Sequence, residues 1–550
     1  MQTYLYIVLV PVLTWLAHKA LRSKRRPYPP GPWPKPLIAN LLDMPQKSAP
    51  TAYLDMGKKY NSDIIHLEVM GYHFVILNKL EDAEELLEKR AKIYSDRPVM
   101  PILKLMGWEY NVAIMPHGEE WRQHRKVCQQ HFRAAESVKF LPTQTKKVRE
   151  LLKDLASTPE KFQLHSKKLS IAIPLSTMYG YDITSLDDPC IAAAEESIAL
   201  GAEILQPGNN FINMFPIIGR LPTWFPGTKA VRKAAEVKSI FHPAKNLYVD
   251  DQQTEGTARP SFVTEFLEKK WRGGASEEEE AIVENIAYTV YGGTVGLPLL
   301  KYSQLMSHPA ASDTTISATG TFFYLMATNP DVQRKAQAEI DLVVGSRRLP
   351  DIDDRPNMPF LEALYREVMR LGPPLPLGLV HMLTEDDHYK GYFLPKGKFW
   401  LHNLLFARLC EYMASGSDCS LPISIAYQSV HRGMNHNEEK YVEPSKFRPE
   451  RFLDESGKLN EDDRVLAYGF GRRVCVGKHI ASSTMWLIMA SVLACFNIGK
   501  AKDAQGKEIE VDDSFEDDGL LRHRRKFQCS FTVRSPEAYQ LIAQSTEDIA

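Results

Sequence analysis

The chain lacks any bulk charge that would point to a polyanionic partner. Lys and Arg total 67 against 68 Asp and Glu, a net charge of −1 over 550 residues. No long-range field therefore draws it toward nucleic acid, and no nucleic-acid-binding motif accompanies that balance. Cysteine is sparse: Cys128, Cys190, Cys410, Cys419, Cys475, Cys495 and Cys529 make seven. The odd number and the absence of a C-x-x-C pair argue against a disulfide framework and against a zinc site, and place the body in a reducing compartment. There is no internal repeat and no low-complexity tract. There is also no G-x-G-x-x-G on a βαβ pattern, so the chain carries no dinucleotide or flavin module of its own. What remains, with 44% hydrophobic and 25% charged residues, is an ordinary globular chain long enough for a large core.

Long apolar runs are scarce too. "TYLYIVLVPVLTWLA", residues 3–17, is the strongest, and it is short of the about 20 residues that a bilayer span needs. Counting from Met1 to Leu21 reaches that length if His18 and Lys19 snorkel at its edge. A cleavable signal peptide would carry its positive charge before the apolar run; here Arg22, Lys24, Arg25 and Arg26 follow it. Positive charge on that side holds the rest of the chain in the cytosol. Residues 1–21 are thus expected to be a single-pass membrane anchor. Residues 22–36, ending in "RPYPPGPWPKP", are expected to be a basic, proline-stiffened hinge.

Residues 37–550 read as one large body. Apolar residues recur at helical spacing in 81–94, 119–132 and 330–345, whereas 64–77 and 527–535 alternate as strands do. The expectation is a mainly α fold with small β-sheets.

Four short motifs carry chemistry. "WRQHR" (121–125) puts Trp121 and Arg125 on one helix face, and "YREVMR" (365–370) does the same for Glu367 and Arg370. "KFRPERF" (446–452) places Arg451 between a proline-led turn and an aromatic ring. "AYGFGRRVCVGKHIA" (467–481) sets Cys475 among glycines and arginines, ahead of an apolar run. Alone, each of the first three is no more than a surface ion pair or a common turn, and Cys475 alone could be an inert buried thiol. In this order, W-x-x-x-R, E-x-x-R, P-E-R-F and G-x-R-x-C-x-G, the chain resembles the cytochrome P-450 superfamily of heme-thiolate monooxygenases. The resemblance runs from the proline-rich segment to about residue 535. The stretches 222–227 and 373–397 are most similar to those of fungal members.

The resemblance implies the cytochrome P-450 fold and a cofactor, heme b (iron protoporphyrin IX), ligated through iron by Cys475. An axial thiolate pushes electron density toward the metal and favours O–O cleavage. Gly471 and Gly477 would let backbone approach the sulfur, and a helix starting near Gly477 would aim its positive end at it. Trp121, Arg125, His381 and Arg473 correspond to the family's donors to the heme propionates, a task suited to fixed cationic forks. Glu367, Arg370 and Arg451 would form the buried charge triad that holds the cysteine loop. Asp313 and Thr314, in "ASDTTISATGTFFYLM" (311–326), match the acid–alcohol pair that passes protons toward the oxygen being activated. Departures are modest: Tyr468 where Phe is usual, Val476 and Lys478 after the cysteine, and Ala311 in place of Gly.

Two stretches are foreign to the family. Residues 294–310, with Gly296, Pro298 and Pro309, split what should be one long helix beginning in 277–293. Residues 404–432 separate a strand-like "KGKFWLHN" from "MNHNEEKY". Each is either a retained intron or a genuine insertion, and loop length by itself is cheap, about 0.6 kcal/mol per doubling. The first block bears on function, because it could misplace Thr314.

The expected activity is oxidation of a small apolar substrate with O2. The apolar stretch 204–227 would cover the substrate pocket from the membrane side, with the loop 96–118 as another wall. Electrons would come from an NADPH-cytochrome reductase, with cytochrome b5 as an optional second donor. Lys126, Arg133, Arg472 and Lys478 are candidates for the docking face. The setting would be the endoplasmic reticulum membrane, with the catalytic body of a monomer facing the cytosol. Two alternatives stay open: a peroxide-using or rearranging enzyme, against which Asp313 and Thr314 argue, and a heme-binding chain whose turnover the 294–310 block has impaired.

Overall fold

A computed structural model describes residues 27–36, 38–45, 48–69, 72–98, 100–188, 259–291, 310–397, 426–429, 431–517 and 521–545, with six isolated positions between 221 and 232. The proposed anchor, the first part of the hinge, nearly all of the 294–310 block, and most of 204–227 and 404–432 lie outside the described residues. Among the described residues, no helix is long and apolar enough to cross a membrane.

The chain divides into two compact units, each assembled from segments distant in sequence. The first comprises Met1–Val99, Leu377–Asn437 and Phe470–Arg473; the second comprises Met100–Pro376, Glu438–Gly469 and Val474–Ala550. The physical reason is that strands from distant parts of the chain close a small core of their own around Tyr53, Ile65, Leu67, Ile76 and Leu377.

In the first unit, α1 (Ala49–Tyr60) has Pro50 in its opening turn, where no amide donor is lost. Strands β1 (Ile64–Val69) and β2 (Tyr72–Leu77) pair antiparallel, Ile64 opposite Leu77. Strand β3 (His381–Met382) and strand β4 (Ala426–Ser429) complete a four-stranded sheet of order β1-β2-β4-β3. β4 runs parallel to β2 and antiparallel to β3. This corrects one expectation: residues 426–429, read as part of a foreign block, form an inner strand of the sheet. Of "AYQS" only Tyr427 favours a strand, so backbone pairing on both sides, rather than propensity, sets its place. The proline-rich segment is fastened to the same unit. The His66 amide donates to the Pro30 carbonyl at 2.8 Å, Asn40 Nδ2 donates to the Pro32 carbonyl at 3.0 Å, and the Tyr28 ring stacks on His66.

The second unit is helical. Helix α2 (Glu119–Phe132) matches its sequence expectation. Helices α3 (Leu141–Ser157), α4 (Phe162–Tyr179), α5 (Glu277–Tyr291), α6 (Ala310–Thr328), α7 (Pro330–Val343), α8 (Pro359–Leu371) and α9 (Lys478–Cys495) follow. α9 is apolar all round from Met485 onward, the pattern of a helix enclosed on every side. It packs with α3, α6 and α8 through Leu152, Phe322, Phe323, Leu364, Trp486 and Met489. Two short sheets close the C-terminal region: β5 (Phe496–Lys500) paired with β8 (Cys529–Val533), and a hairpin of β6 (Phe515–Asp517) with β7 (Arg522–Arg524).

Candidate functional site

Cys475 lies at the mouth of α9. Its amide donates to the Tyr468 carbonyl at 2.9 Å, and the Gly477 amide donates to its sulfur. Burial pushes the thiol up from its ordinary value, while the Gly477 amide and the charges of Arg125 and Lys478 pull the other way. The residue is nonetheless reachable by solvent. Both facts hold for a sulfur on the wall of a space ringed by protein, where the surroundings are dense but one side is open. Such a thiol is poised to become a thiolate once a cation or metal arrives.

The residue under the loop departs from the family pattern without cost. The Tyr468 hydroxyl is buried, 2.9 Å from the Tyr365 hydroxyl. Burial first, and then Tyr365 and Cys475, raise it well above the ordinary tyrosine range. The extra oxygen is thus satisfied, as a buried polar group must be.

The expected charge triad is assembled. The Glu367 side chain is 0% exposed, that of Arg370 3% and that of Arg451 7%. Arg370 donates to Glu367 through Nε at 2.6 Å and Nη2 at 2.9 Å, a bidentate fork, and Arg451 Nε adds a third bond at 3.1 Å. The Arg448 amide supplies a fourth at 2.9 Å. Arg370 and Arg451 also donate outward to the carbonyls of Pro444 and of Val442 and Lys446. The turn that precedes the cysteine loop is thereby tied to α8.

Trp121 and Arg125 share one face of α2, as their spacing requires. Trp121 is buried, its ring 5.1 Å from that of His117. Arg125 Nε is buried and has no hydrogen-bond partner. Burial lowers the Arg125 guanidinium's pKa, opposed by Cys128 and Cys475.

The first unit contributes its own cationic group. Arg473 Nε donates to the Ser95 carbonyl at 2.8 Å. His381 Nδ1 lies 2.9 Å from the Tyr94 carbonyl and so carries the ring proton there. Arg97, buried, donates to the carbonyls of Leu379 at 3.0 Å and Val380 at 2.5 Å. Burial and the neighbouring charge of Arg473 bring Arg97 down to about 9, against the pull of Asp96. An anion placed beside this group would relieve both costs. Gly471 is required by the chain itself: its φ is +53°, and a Cβ there would stand 2.2 Å from the Leu87 carbonyl oxygen.

On α6, Asp313 and Thr314 open the helix as expected. The Asp313 carboxyl, 3% exposed, has Oδ1 3.2 Å from His523 Nε2 on β7, and Oδ2 has no partner among the described residues. Among the proposed docking cations, Lys126, Arg133 and Arg472 are exposed and Lys478 is half-buried. In the loop 96–118, Ile102, Leu103, Met106 and Trp108 form a small buried cluster.

The residues of the second unit around Cys475 fit an anionic group ligated at its sulfur, and two observations carry that. Arg125 Nε is an orphaned buried donor. Gly477 has φ −85°, open to any residue, and a Cβ built on it meets no atom within 4 Å. Among the described residues, the space beside Gly477 is therefore open to a group bound at the sulfur.

Sequence reasoning missed two residues. Arg97 had a faint signal in "YSDRP", an arginine locked before a proline. His523, in the basic run "RHRR", had none that sets it apart from a solvated charged strand.

The comparisons agree with the geometry. The chain matches the family model described as cytochrome P-450 over residues 29–405 and 422–531. The unmatched residues 406–421 fall inside the second foreign block. It is 34% identical to the cytochrome P-450 monooxygenase COX2 of Coprinopsis cinerea, over 96% of this chain and 93% of that one. It is 34% identical to the monooxygenase ple1 of Rhodocybe pseudopiperita, over 95% and 92%. It is 32% identical to the tryptamine 4-monooxygenase of Psilocybe cyanescens, over 96% and 96%.

Proposed function

From the premise that the chain belongs to the cytochrome P-450 family of monooxygenases, we propose that it is a membrane-anchored heme-thiolate enzyme. It would insert one oxygen atom of O2 into a small apolar substrate, with electrons from an NADPH-cytochrome reductase and, optionally, cytochrome b5. Residues 1–21 would hold it in the endoplasmic reticulum membrane, with its body in the cytosol. The observation that carries the reading is Cys475: a thiol at a helix mouth, bonded by the Gly477 amide and flanked by an orphaned arginine donor.

Heme b, when bound, would supply the redox chemistry that activates O2. The rest falls to the chain. Cys475 Sγ would ligate the metal, its charge held by the Gly477 amide and by the N-terminus of α9. Trp121, Arg125, His381 and Arg473, together with Arg97, would bind the propionates. Glu367, Arg370 and Arg451 would fix the loop that carries the sulfur. Asp313 and Thr314 would hold and pass protons at the start of α6.

The test is a carbon monoxide difference spectrum of the reduced, purified protein, followed by NADPH, reductase and a panel of apolar compounds. A red-shifted carbonyl band and product formation support the proposal. The same band with no NADPH consumption for any compound would favour the alternative, a heme protein impaired by the 294–310 block. No red-shifted band would overturn thiolate ligation.

A further inference from the structure

We infer that His523 is the solvent-side proton carrier for Asp313, a role that rests on the monooxygenase reading above. The Asp313 carboxyl is buried, and its partner is a titratable ring: Oδ1 faces His523 Nε2 at 3.2 Å, and Oδ2 has no hydrogen-bond partner among the described residues. A buried carboxylate with one oxygen left without a hydrogen bond carries a desolvation cost. The His523 side chain is 22% exposed against 3% for Asp313, so the ring spans the distance from water to the interior.

The backbone holds the imidazole in that place. The Arg522 amide donates to the Pro374 carbonyl at 3.0 Å, and Ser317 Oγ, one helical turn beyond Asp313, donates to the Arg522 carbonyl at 2.5 Å. β6 pairs along the other side, with Glu516 opposite His523. The charged groups around the ring are these. α6 presents Asp313. Among the described side chains, β6 presents Glu516. β7 presents Arg522, stacked on the Phe515 ring, and Arg524, stacked on Phe515 and Tyr324, with Asp512 and Asp513 nearby. The segment 372–376 on the remaining side is "GPPLP" and has no titratable group.

Histidine suits the task where lysine or arginine would not. Imidazole accepts a proton at one nitrogen and releases one from the other within the working pH range, whereas a permanent cation would only pin the carboxylate in its charged form. The step balances without electrons. The imidazolium Nε2–H bond breaks and an O–H bond forms on Asp313, leaving neutral imidazole and a carboxylic acid. The acid passes its proton on toward Thr314, and water returns one proton to the ring.

The experiment uses the holoenzyme and His523→Gln, whose amide can donate to Asp313 but cannot relay. The readouts are the carbonyl difference spectrum, the substrate-induced spectral shift, product formed per NADPH, peroxide released, and the pH profile of turnover. With both spectra preserved, product per NADPH should fall about a hundredfold or more, the range a positioned proton donor contributes. Peroxide should take up the difference. The wild-type profile should fall as pH rises through the histidine range, and that limb should vanish in the variant. If His523→Gln takes up no heme, His523→Lys, which keeps an ion pair with Asp313, is read in the same way. A variant with wild-type coupling and an unchanged pH profile overturns the role of His523 and leaves the monooxygenase reading standing. No thiolate-type carbonyl band in the wild-type chain overturns that reading itself.

Discussion

Glu367→Gln is the sharpest probe of what holds the cysteine loop. The carboxylate is fully buried and accepts four hydrogen bonds: two from Arg370, one from Arg451 and one from the Arg448 amide. The amide side chain keeps the shape but removes the charge, and it turns one acceptor into a donor aimed at guanidinium donors. Two arginines are then left buried without their counter-charge. Breaking a buried pair in this way costs about 3–5 kcal/mol. The carbonyls of Pro444, Val442 and Lys446 still receive hydrogen bonds from these arginines, which favours the lower half of that range. At about 2 °C per kcal/mol, the small end of the scale and the one suited to a large domain, the melting temperature should drop by roughly 6–8 °C. Heme should be lost faster. The control is Glu450→Gln, which breaks the more exposed Lys335–Glu450 pair and should shift the midpoint by about 1–2 °C at most, the scale of a surface pair. A second substitution in the Gln variant, Arg370→Met, should recover part of the loss, because one stranded charge is gone. If Glu367→Gln melts with the wild type and keeps its carbonyl band, the triad does not hold the loop.

The remaining predictions concern single atoms. Cys475→Ala should abolish the red-shifted carbonyl band while leaving the fold intact by circular dichroism; an unchanged band would mean that another residue ligates the metal. Gly471→Ala should destabilise the protein even without heme, because its Cβ would overlap the Leu87 carbonyl at a φ of +53°; strain of about 1–3 kcal/mol is expected, read by thermal unfolding of the heme-free chain. Gly477→Ala should do the opposite, leaving the heme-free midpoint unchanged and weakening heme retention, since a Cβ there meets no protein atom. Asp182 gives a pH signature. Burial would raise its carboxyl, but bonds from Lys147 and Arg259 outweigh that and bring it to about 2 from 3.8. The folded carboxyl titrates below the unfolded one, so its stabilisation, about 2 kcal/mol, is complete above about pH 4 and lost as pH falls through about 2. Asp182→Asn should therefore be less stable than wild type at pH 6, with the gap closing toward pH 2; a gap that stayed constant would rule out the ion pair as its source.

The part of the site legible in the sequence was the part written in short spacings. W-x-x-x-R, E-x-x-R and G-x-R-x-C-x-G each put their residues within about one turn, so local geometry brings them together. Glu367 and Arg451 lie far apart in sequence, and only the resemblance joined them. Arg97 and His523 escaped because their meaning lies in partners contributed by other elements, the Leu379 and Val380 carbonyls in one case and Asp313 in the other. Strand 426–429 escaped for a different reason. Judged against a family pattern, its neighbourhood read as surplus, yet its backbone pairs on both sides. A strand needs only a few residues and an open edge, and a long insertion before it removes neither.

The two glycines of the cysteine loop separate what the fold requires from what a ligand requires. Both stand in one motif, and sequence alone gives them one explanation, close approach of backbone to sulfur. Their surroundings differ. At Gly471 the chain excludes a side chain twice over, by its positive φ and by the Leu87 carbonyl. At Gly477 the backbone is ordinary and the space beside it is open. The open space beside Gly477 leaves room for a group bound at the sulfur, which a side chain there would begin to fill. That puts the binding constraint at Gly477, next to the sulfur and at the N-terminus of α9, and leaves Gly471 as part of the scaffold. The motif is thus a structural half and a binding half joined at Cys475, and a heme-free chain should tell them apart by tolerating alanine in one and not in the other.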